Sequence, residues 1–179
     1  MKVTILLSTY NGEQFLAEQI ESIQAQTYRD WQLLIRDDGS SDGTRAMIED
    51  FCQQDDRIFF INPEETQNLG VIKSFHSLLK YQDSDVYESM IRTQSDHANT
   101  ELIQELTENT VTGGVSMINR ALADLWTGQE EYELLMHDWY LGLLASAFGQ
   151  LVYLDQPGEL YRQHSNNVLG ARTLRKRMK

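Results

Sequence analysis

The stretch RDDGSSDGTRAMIE, Arg36 to Glu49, decides between two folds. Counted from Asp38 it reads D-G-S-S-D-G and then reaches Glu49, which is close to the spacing of a calcium loop with its glycine at the sixth position. A calcium loop joins two helices, however, and the residues before Asp38 are WQLLI, a run of strand type. The next helical pattern, TRAMIEDFCQQ, starts inside the supposed loop near Thr44, and the eighth position, usually apolar, is Arg45. The stretch therefore reads as strand, turn, helix. Asp37 and Asp38 then stand at the carboxyl end of a parallel strand, where wound sheets bind ligands, with Gly39 and Gly43 allowing a tight turn.

The flanks repeat the pattern. Upstream, KVTILLS is a short β-branched run, followed by GEQFLAEQIESIQAQ with Phe15, Leu16, Ile20 and Ile23 at helical spacing. Downstream, RIFFIN is a third strand, and GVIKSFHSLLKY places Ile72, Phe75, Leu78 and Leu79 on one helical face. This alternation predicts an α/β fold, a mostly parallel sheet flanked by helices. The second half is less regular. ELIQELTEN, RALADLW and HDWYLGLLASAFG read as helices, and VSMIN and LVYLD as strands. No repeat or linker interrupts the chain, which predicts a single domain over residues 1–170 and a basic C-terminal tail, 171–179.

Composition narrows the function classes. The chain has 179 residues, 41% apolar and 23% charged, enough for one core. Its net charge is −12, yet Arg172, Arg175, Lys176, Arg177 and Lys179 crowd into ARTLRKRMK. Removing those five from the 15 basic residues leaves 10 against 27 acids, so the body is strongly acidic and no nucleic-acid partner is expected. The tail is either a solvated end or a contact for an anionic membrane surface or a protein. No run is long enough to span a membrane and no signal peptide pattern opens the chain, so a cytoplasmic location is expected, peripheral at the inner face of the membrane if the tail binds lipid. The lone Cys52 rules out an internal disulfide and falls on the apolar face of a helix with Met47, Ile48 and Phe51.

The first strand ends as the second does, in polar residues at the mouth of the sheet. In STYNGE, Ser8 to Glu13, the exposed Tyr10 has the shape to stack on a base, while Asn11 and Gly12 suit a helix start. An acidic strand end beside it can accept hydrogen bonds from a nucleobase or ribose. Two such motifs at corresponding strand ends point to a nucleotide crevice. No G-x-G-x-x-G or G-x-x-x-x-G-K follows the first strand, which argues against a dehydrogenase or P-loop enzyme.

These residues resemble a known family. ILLSTYNGEQFLAEQIESIQAQTYRDWQLLIRDDGSSDGT is similar to the opening of family 2 glycosyltransferases of the GT-A type; the likeness is dense over residues 3–87 and returns in TGGVSMINRAL and MHDWYLGLLASAFGQLVYLDQPGELYRQHSNNVLG. It is nearest to bacterial rhamnosyltransferase-like enzymes of surface polysaccharide assembly. The resemblance implies that Tyr10 stacks on a pyrimidine, that Asp38 binds its edge, and that Ser8, Thr9 and Asn11 line the pocket. It also implies that NLGVIK, with Asn68, Gly70 and Lys73, closes over the nucleotide, although a helix start explains Lys73 equally well. Inverting transfer needs a base for the acceptor hydroxyl and something positive at the departing diphosphate. In LLMHDWYLG the family pattern makes Asp138 that base, against a helix-capping role, and puts His137 where an acid is often seen. Trp139 becomes a wall for a sugar ring, and Thr112, Gly113 and Gly114 face donor sugar and acceptor. Arg162 and His164 meet the diphosphate, with His164 the one metal candidate the likeness offers.

The expected partners are a UDP- or dTDP-linked sugar, carrying a hexose or deoxyhexose such as rhamnose, and a glycan acceptor; a homo-oligomer is left open. The family also implies a divalent metal, Mn or Mg, held by an acidic pair after the fourth strand. That pair is not found here. Asp83 and Asp85 precede the strand and read as turn residues, and no spacing supports Asp96 and His97 as ligands. The interval from DVY to TGG is several tens of residues shorter than the family usually shows. A catalytically weak nucleotide-binding or assembly module is therefore the rival reading.

Overall fold

The structure is a computed structural model that describes residues 2–70, 100–107, 109–111, 113–127 and 136–154. Three strands, β1 (Val3–Thr9), β2 (Trp31–Asp37) and β3 (Ile58–Phe60), form a parallel sheet in that order. Val3 to Thr9 pair residue by residue with Trp31 to Asp37, and Leu33 to Ile35 pair with Ile58 to Phe60. β2 is central and buried at every position but Gln32, which is why it reads as a continuous apolar run.

Helix α1 (Leu16–Gln24) follows β1 and α2 (Thr44–Gln54) follows β2. On α2 the residues Thr44, Met47, Ile48, Phe51 and Cys52 recur at helical spacing and turn toward the sheet. Leu16 and Ile20 of α1 and Ile48 of α2 pack with Trp31, Leu33, Ile35 and Ile58 in one core, joined by Val3, Ile5 and Leu7. These are alternate strand residues, so both helices cover one face. Leu6, from the other face, packs against α4 (Arg120–Thr127) and α5 (His137–Phe148) through Ala123, Trp126 and Leu141. The sheet thus lies between two helical layers, as the alternation predicts.

The second half departs from the sequence reading. ELIQELTEN yields only one turn of helix, α3 (Leu102–Glu105), because the chain folds back and the Thr110 hydroxyl donates to the buried Glu105 carboxylate. VSMIN is not a strand; Gly113–Val115 form a 3₁₀ turn and residues 116–119 carry no ladder. LVYLD is likewise no strand over 151–154. The helix expected from GVIKSFHSLLKY lies outside the described residues beyond Gly70, as does the basic tail.

Candidate functional site

The ladder of β1 and β2 runs one step past the strands, where the Asp38 N–H donates to the Thr9 carbonyl at 2.8 Å. Tyr10 and Asp38 therefore leave the sheet side by side. Ser8 and Thr9 are half-buried at the end of β1, and Tyr10 is 57% exposed. The two loops are sewn together. The Asn11 N–H donates to Ser40 Oγ (2.8 Å), and the Ser41 N–H donates to Asn11 Oδ1 (2.8 Å). The Gly12 N–H reaches Thr44 Oγ1 (2.8 Å), and the Gly43 N–H reaches Glu13 Oε2 (2.9 Å). Asn11 holds a left-handed backbone at φ 47°, a conformation asparagine tolerates, and its amide oxygen serves this seam. Asp42 supplies the acceptor for the first turn of α2, taking the Thr44 N–H at 3.0 Å.

Asp37 and Asp38 have different surroundings. Asp37, fully buried, accepts the N–H groups of Gly39 (3.1 Å) and Ser40 (3.0 Å) and the Arg45 guanidinium (3.0 Å) on Oδ2. Asp38 is 4% exposed and holds the segment after β3, accepting the Leu69 N–H on Oδ1 (2.8 Å) and the Gly70 N–H on Oδ2 (3.0 Å). Asn68 Oδ1 accepts the same Gly70 N–H at 3.0 Å. Gly39 makes the approach possible. Its φ is +82°, and a Cβ there would lie 2.6 Å from the Thr66 carbonyl oxygen. The two aspartates of the calcium-like spacing, Asp38 and Asp42, thus face separate N–H partners, and β2 and α2 flank the turn as a strand and a helix.

A second cluster surrounds the start of α5. Asp138, in the first turn and 8% exposed, accepts the Trp139 N–H (2.8 Å) and Asn109 Nδ2 (3.2 Å) on Oδ1, and the Gly113 N–H (3.3 Å) on Oδ2. Gly113 is pressed close, since a Cβ there would come 2.6 Å from His137 Nε2. The His137 ring stacks on Trp126, with centroids 6.3 Å apart. Burial lowers its pKa despite the opposing pull of Asp138, which favours the neutral imidazole. The Trp139 indole N–H donates to the Glu105 carbonyl at 2.5 Å and ties α3 to α5. Gly114 is exposed beside this cluster.

Tyr10, Asn11, Asp38, Asn68 and Gly70 thus meet at one sheet mouth, and Gly113, Asp138 and Trp139 at the other cluster. Lys73, Thr112, Arg162 and His164 lie outside the described residues, as do Asp83, Asp85, Asp96 and His97. Two asparagines that sequence reasoning passed over hold these clusters. Asn62 pairs with the Asp37 backbone, and Asn109 ties Asp138 while its own Oδ1 accepts the Val111 N–H (3.0 Å). Its side-chain turn two residues on was readable as an Asx turn in NTV. Among the described residues no three His, Cys, Asp or Glu side chains converge to hold a metal ion; Asp37, Asp38 and Asp42 face N–H donors instead. The described residues by themselves do not fit the family's divalent ion.

Known proteins share the sequence pattern and the fold of this chain. The UDP-Glc:alpha-D-GlcNAc-diphosphoundecaprenol beta-1,3-glucosyltransferase WfgD of Escherichia coli is 37% identical over 79 residues, 44% of this chain and 30% of that protein. The dTDP-rhamnosyl transferase RfbG of Shigella flexneri is 25% identical over 213 residues, 92% of this chain and 74% of its own. That matched stretch is longer than the present chain of 179 residues, so the relative carries residues with no counterpart here. The chain spans less than a third of the length of other curated relatives that it matches. Among solved structures, the mannosyltransferase PcManGT of Pyrobaculum calidifontis, in complex with GDP-Man and Mn²⁺, superposes with a TM-score of 0.56 at 18% identity, over 78% of this chain and 50% of its own. The shared fold is the GT-A type. The sequence pattern of glycosyl transferase family 2 matches residues 4–96, over half of the length and all of the sheet described above but Val3, and on that ground the chain belongs to glycosyl transferase family 2.

Proposed function

We propose that the chain is the catalytic domain of an inverting glycosyltransferase, moving a hexose or deoxyhexose from a nucleoside-diphosphate sugar to a glycan acceptor in surface polysaccharide synthesis. The observation that carries this reading is the sheet mouth itself, where the exposed Tyr10 and the buried Asp38 leave adjacent strands, joined by the Asp38 N–H on the Thr9 carbonyl. Tyr10 offers a stacking face for the base. Each Asp38 oxygen accepts one N–H and keeps a second lone pair for the imide N–H of uracil or thymine. Ser8, Thr9 and Asn11 line the base and ribose side, and Asn68, Gly70 and Lys73 cover it. Rhamnose as the sugar has the support of the likeness to RfbG.

Asp138 is the base in this reading. Its carboxylate removes the acceptor hydroxyl proton as that oxygen attacks the anomeric carbon and the bond to the diphosphate breaks. Gly113, Asn109 and the start of α5 fix its orientation. Trp139, Thr112, Gly113 and Gly114 form the donor-sugar and acceptor side, and Arg162 and His164 meet the diphosphate. Residues 1–170 act as one cytoplasmic domain, peripheral at the inner face of the membrane if the tail 171–179 binds lipid, the tail being otherwise a solvated end or a protein contact. The second reading, a catalytically weak nucleotide-binding or assembly module, is favoured by the lack of converging carboxylates among the described residues.

Calorimetric titration with UDP, dTDP and GDP, each with and without Mn²⁺, tests the proposal. Binding of UDP or dTDP is expected, weakened by about 1–3 kcal/mol in Asp38→Ala, which removes a charged acceptor from a partly buried hydrogen bond. Absence of binding, or equal affinity in the variant, refutes the site. Metal-independent binding without sugar transfer selects the second reading.

A further inference from the structure

We propose that Asn62 is a positioning residue for the base-recognising edge of the crevice, acting through Asp37 to set Asp38 and the Asn68–Gly70 segment; the inference rests on the nucleotide reading above. β3 pairs with β2 only as far as Phe60 opposite Ile35, with the Ile61 N–H still reaching the Ile35 carbonyl at 3.0 Å. The residue after Asn62 is Pro63, which has no N–H and turns the chain away. At that point the Asn62 side chain takes over from the main chain. Its Oδ1 accepts the Asp37 N–H at 3.0 Å and its Nδ2 donates to the Asp37 carbonyl at 2.7 Å, with Asn62 only 5% exposed. One amide thus satisfies both backbone groups of the residue preceding Asp38. Only an asparagine-like side chain, carrying a donor and an acceptor together, can do both.

Arg45 is a second strut at the same place. It bridges the Asp37 carboxylate (3.0 Å) to the carbonyls of Glu65 (2.9 Å) and Pro63, and lies 5.1 Å over the Phe60 ring. The segment leaving β3 is therefore fixed to the end of β2 at three successive points: Asn62 on the Asp37 backbone, Arg45 between Asp37 and residues 63–65, and Asp38 on Leu69 and Gly70. Without Asn62 the buried Asp37 N–H loses its partner and the Asp37 carbonyl keeps only the Arg36 guanidinium at 3.1 Å. The Asp37–Asp38 peptide is then held by the Thr9 carbonyl and Arg36 without the Asn62 amide, and its looser hold shifts the carboxylate that receives the base.

The test uses Asn62→Ala, Asn62→Asp and Arg45→Gln in the full chain, with UDP and CDP as probes. Uracil presents an N–H at N3 and cytosine presents an acceptor there, so the affinity ratio of UDP to CDP reads the placement of Asp38. Asn62→Ala is expected to lower that ratio about tenfold. Asn62→Asp, which keeps an acceptor for the Asp37 N–H but has no donor, should fall with it, and Arg45→Gln should fall less. A residue that only stabilised the fold would weaken both probes alike. Amide exchange at Leu69 and Gly70, followed by NMR without nucleotide, should quicken in Asn62→Ala. An unchanged ratio in a wild type that binds UDP overturns the role of Asn62 alone. Wild type that binds neither probe overturns the nucleotide reading, and unchanged exchange at Leu69 and Gly70 then overturns the role of Asn62 independently. If Asn62→Ala does not fold, Arg45→Gln and Asn62→Asp decide by the same two readouts.

Discussion

At the residue scale, the second cluster turns on one carboxylate. Asp138 accepts three N–H groups, from Trp139, Asn109 and Gly113, so its position is fixed by two loops and a helix start together. Replacement by asparagine keeps the shape and removes the proton acceptor. In a chain carrying the family's full segment before Thr112, Asp138→Asn should cut transfer by about 10²–10⁴-fold while nucleotide affinity stays close to wild type, because in the proposed role the carboxylate acts on the acceptor proton alone. Measured transfer at the normal rate would remove Asp138 from the mechanism. Tyr10 and the aspartate pair were legible in the sequence because strand ends followed by glycines announce themselves. Asn62 was not, since its part is to replace a stretch of main chain, and the letters I-N-P say only that a strand stops.

At the scale of elements, the first three strands and two helices were legible because each buries one periodic face. The later segments were not. In Leu102, Ile103 and Leu106 the apolar residues are exposed, and the short helix there is shaped by Glu105 and Thr110. VSMIN fails as a strand because its first residue ends the 3₁₀ turn Gly113–Val115, closed by the Ser116 N–H on the Gly113 carbonyl. Where α2 gives way to β3, Asp55 closes the helix and is gripped by the Arg57 guanidinium at 2.7 and 2.9 Å, with Gln24 at 3.0 Å. Arg57 in turn lies 3.8 Å over the Trp31 ring. The hydrogen bond from Arg57 holds the Asp55 carboxyl well below the usual carboxylate range, against the opposing effect of burial. A depressed carboxyl adds stability that is present above its unfolded value, about 3.9, and is lost as pH falls below it. Urea melts between pH 5 and 2 should therefore show stability declining more steeply in wild type than in Asp55→Asn. Parallel curves would mean that the ion pair contributes nothing to folding.

At the scale of the whole molecule, the segment that the family pattern matches, residues 4–96, contains the central strand and the helices α1 and α2 on one face of the sheet, while α4 and α5 on the other face lie beyond it. No helix among the described residues is long and apolar enough to cross a membrane. The sole thiol of this acidic chain has a practical consequence. Cys52 sits half-buried on the sheet-facing side of α2, where burial pushes its pKa up. Reaction with an alkylating reagent needs the exposed thiolate, so the native chain should be modified far more slowly than the unfolded one at the same pH. The labelling rate across a urea series should then rise in step with the separation of α2 from the strands, giving a single covalent reporter of when the layered body opens. Equal labelling rates in the native and unfolded states would show that α2 is not held against the sheet in solution.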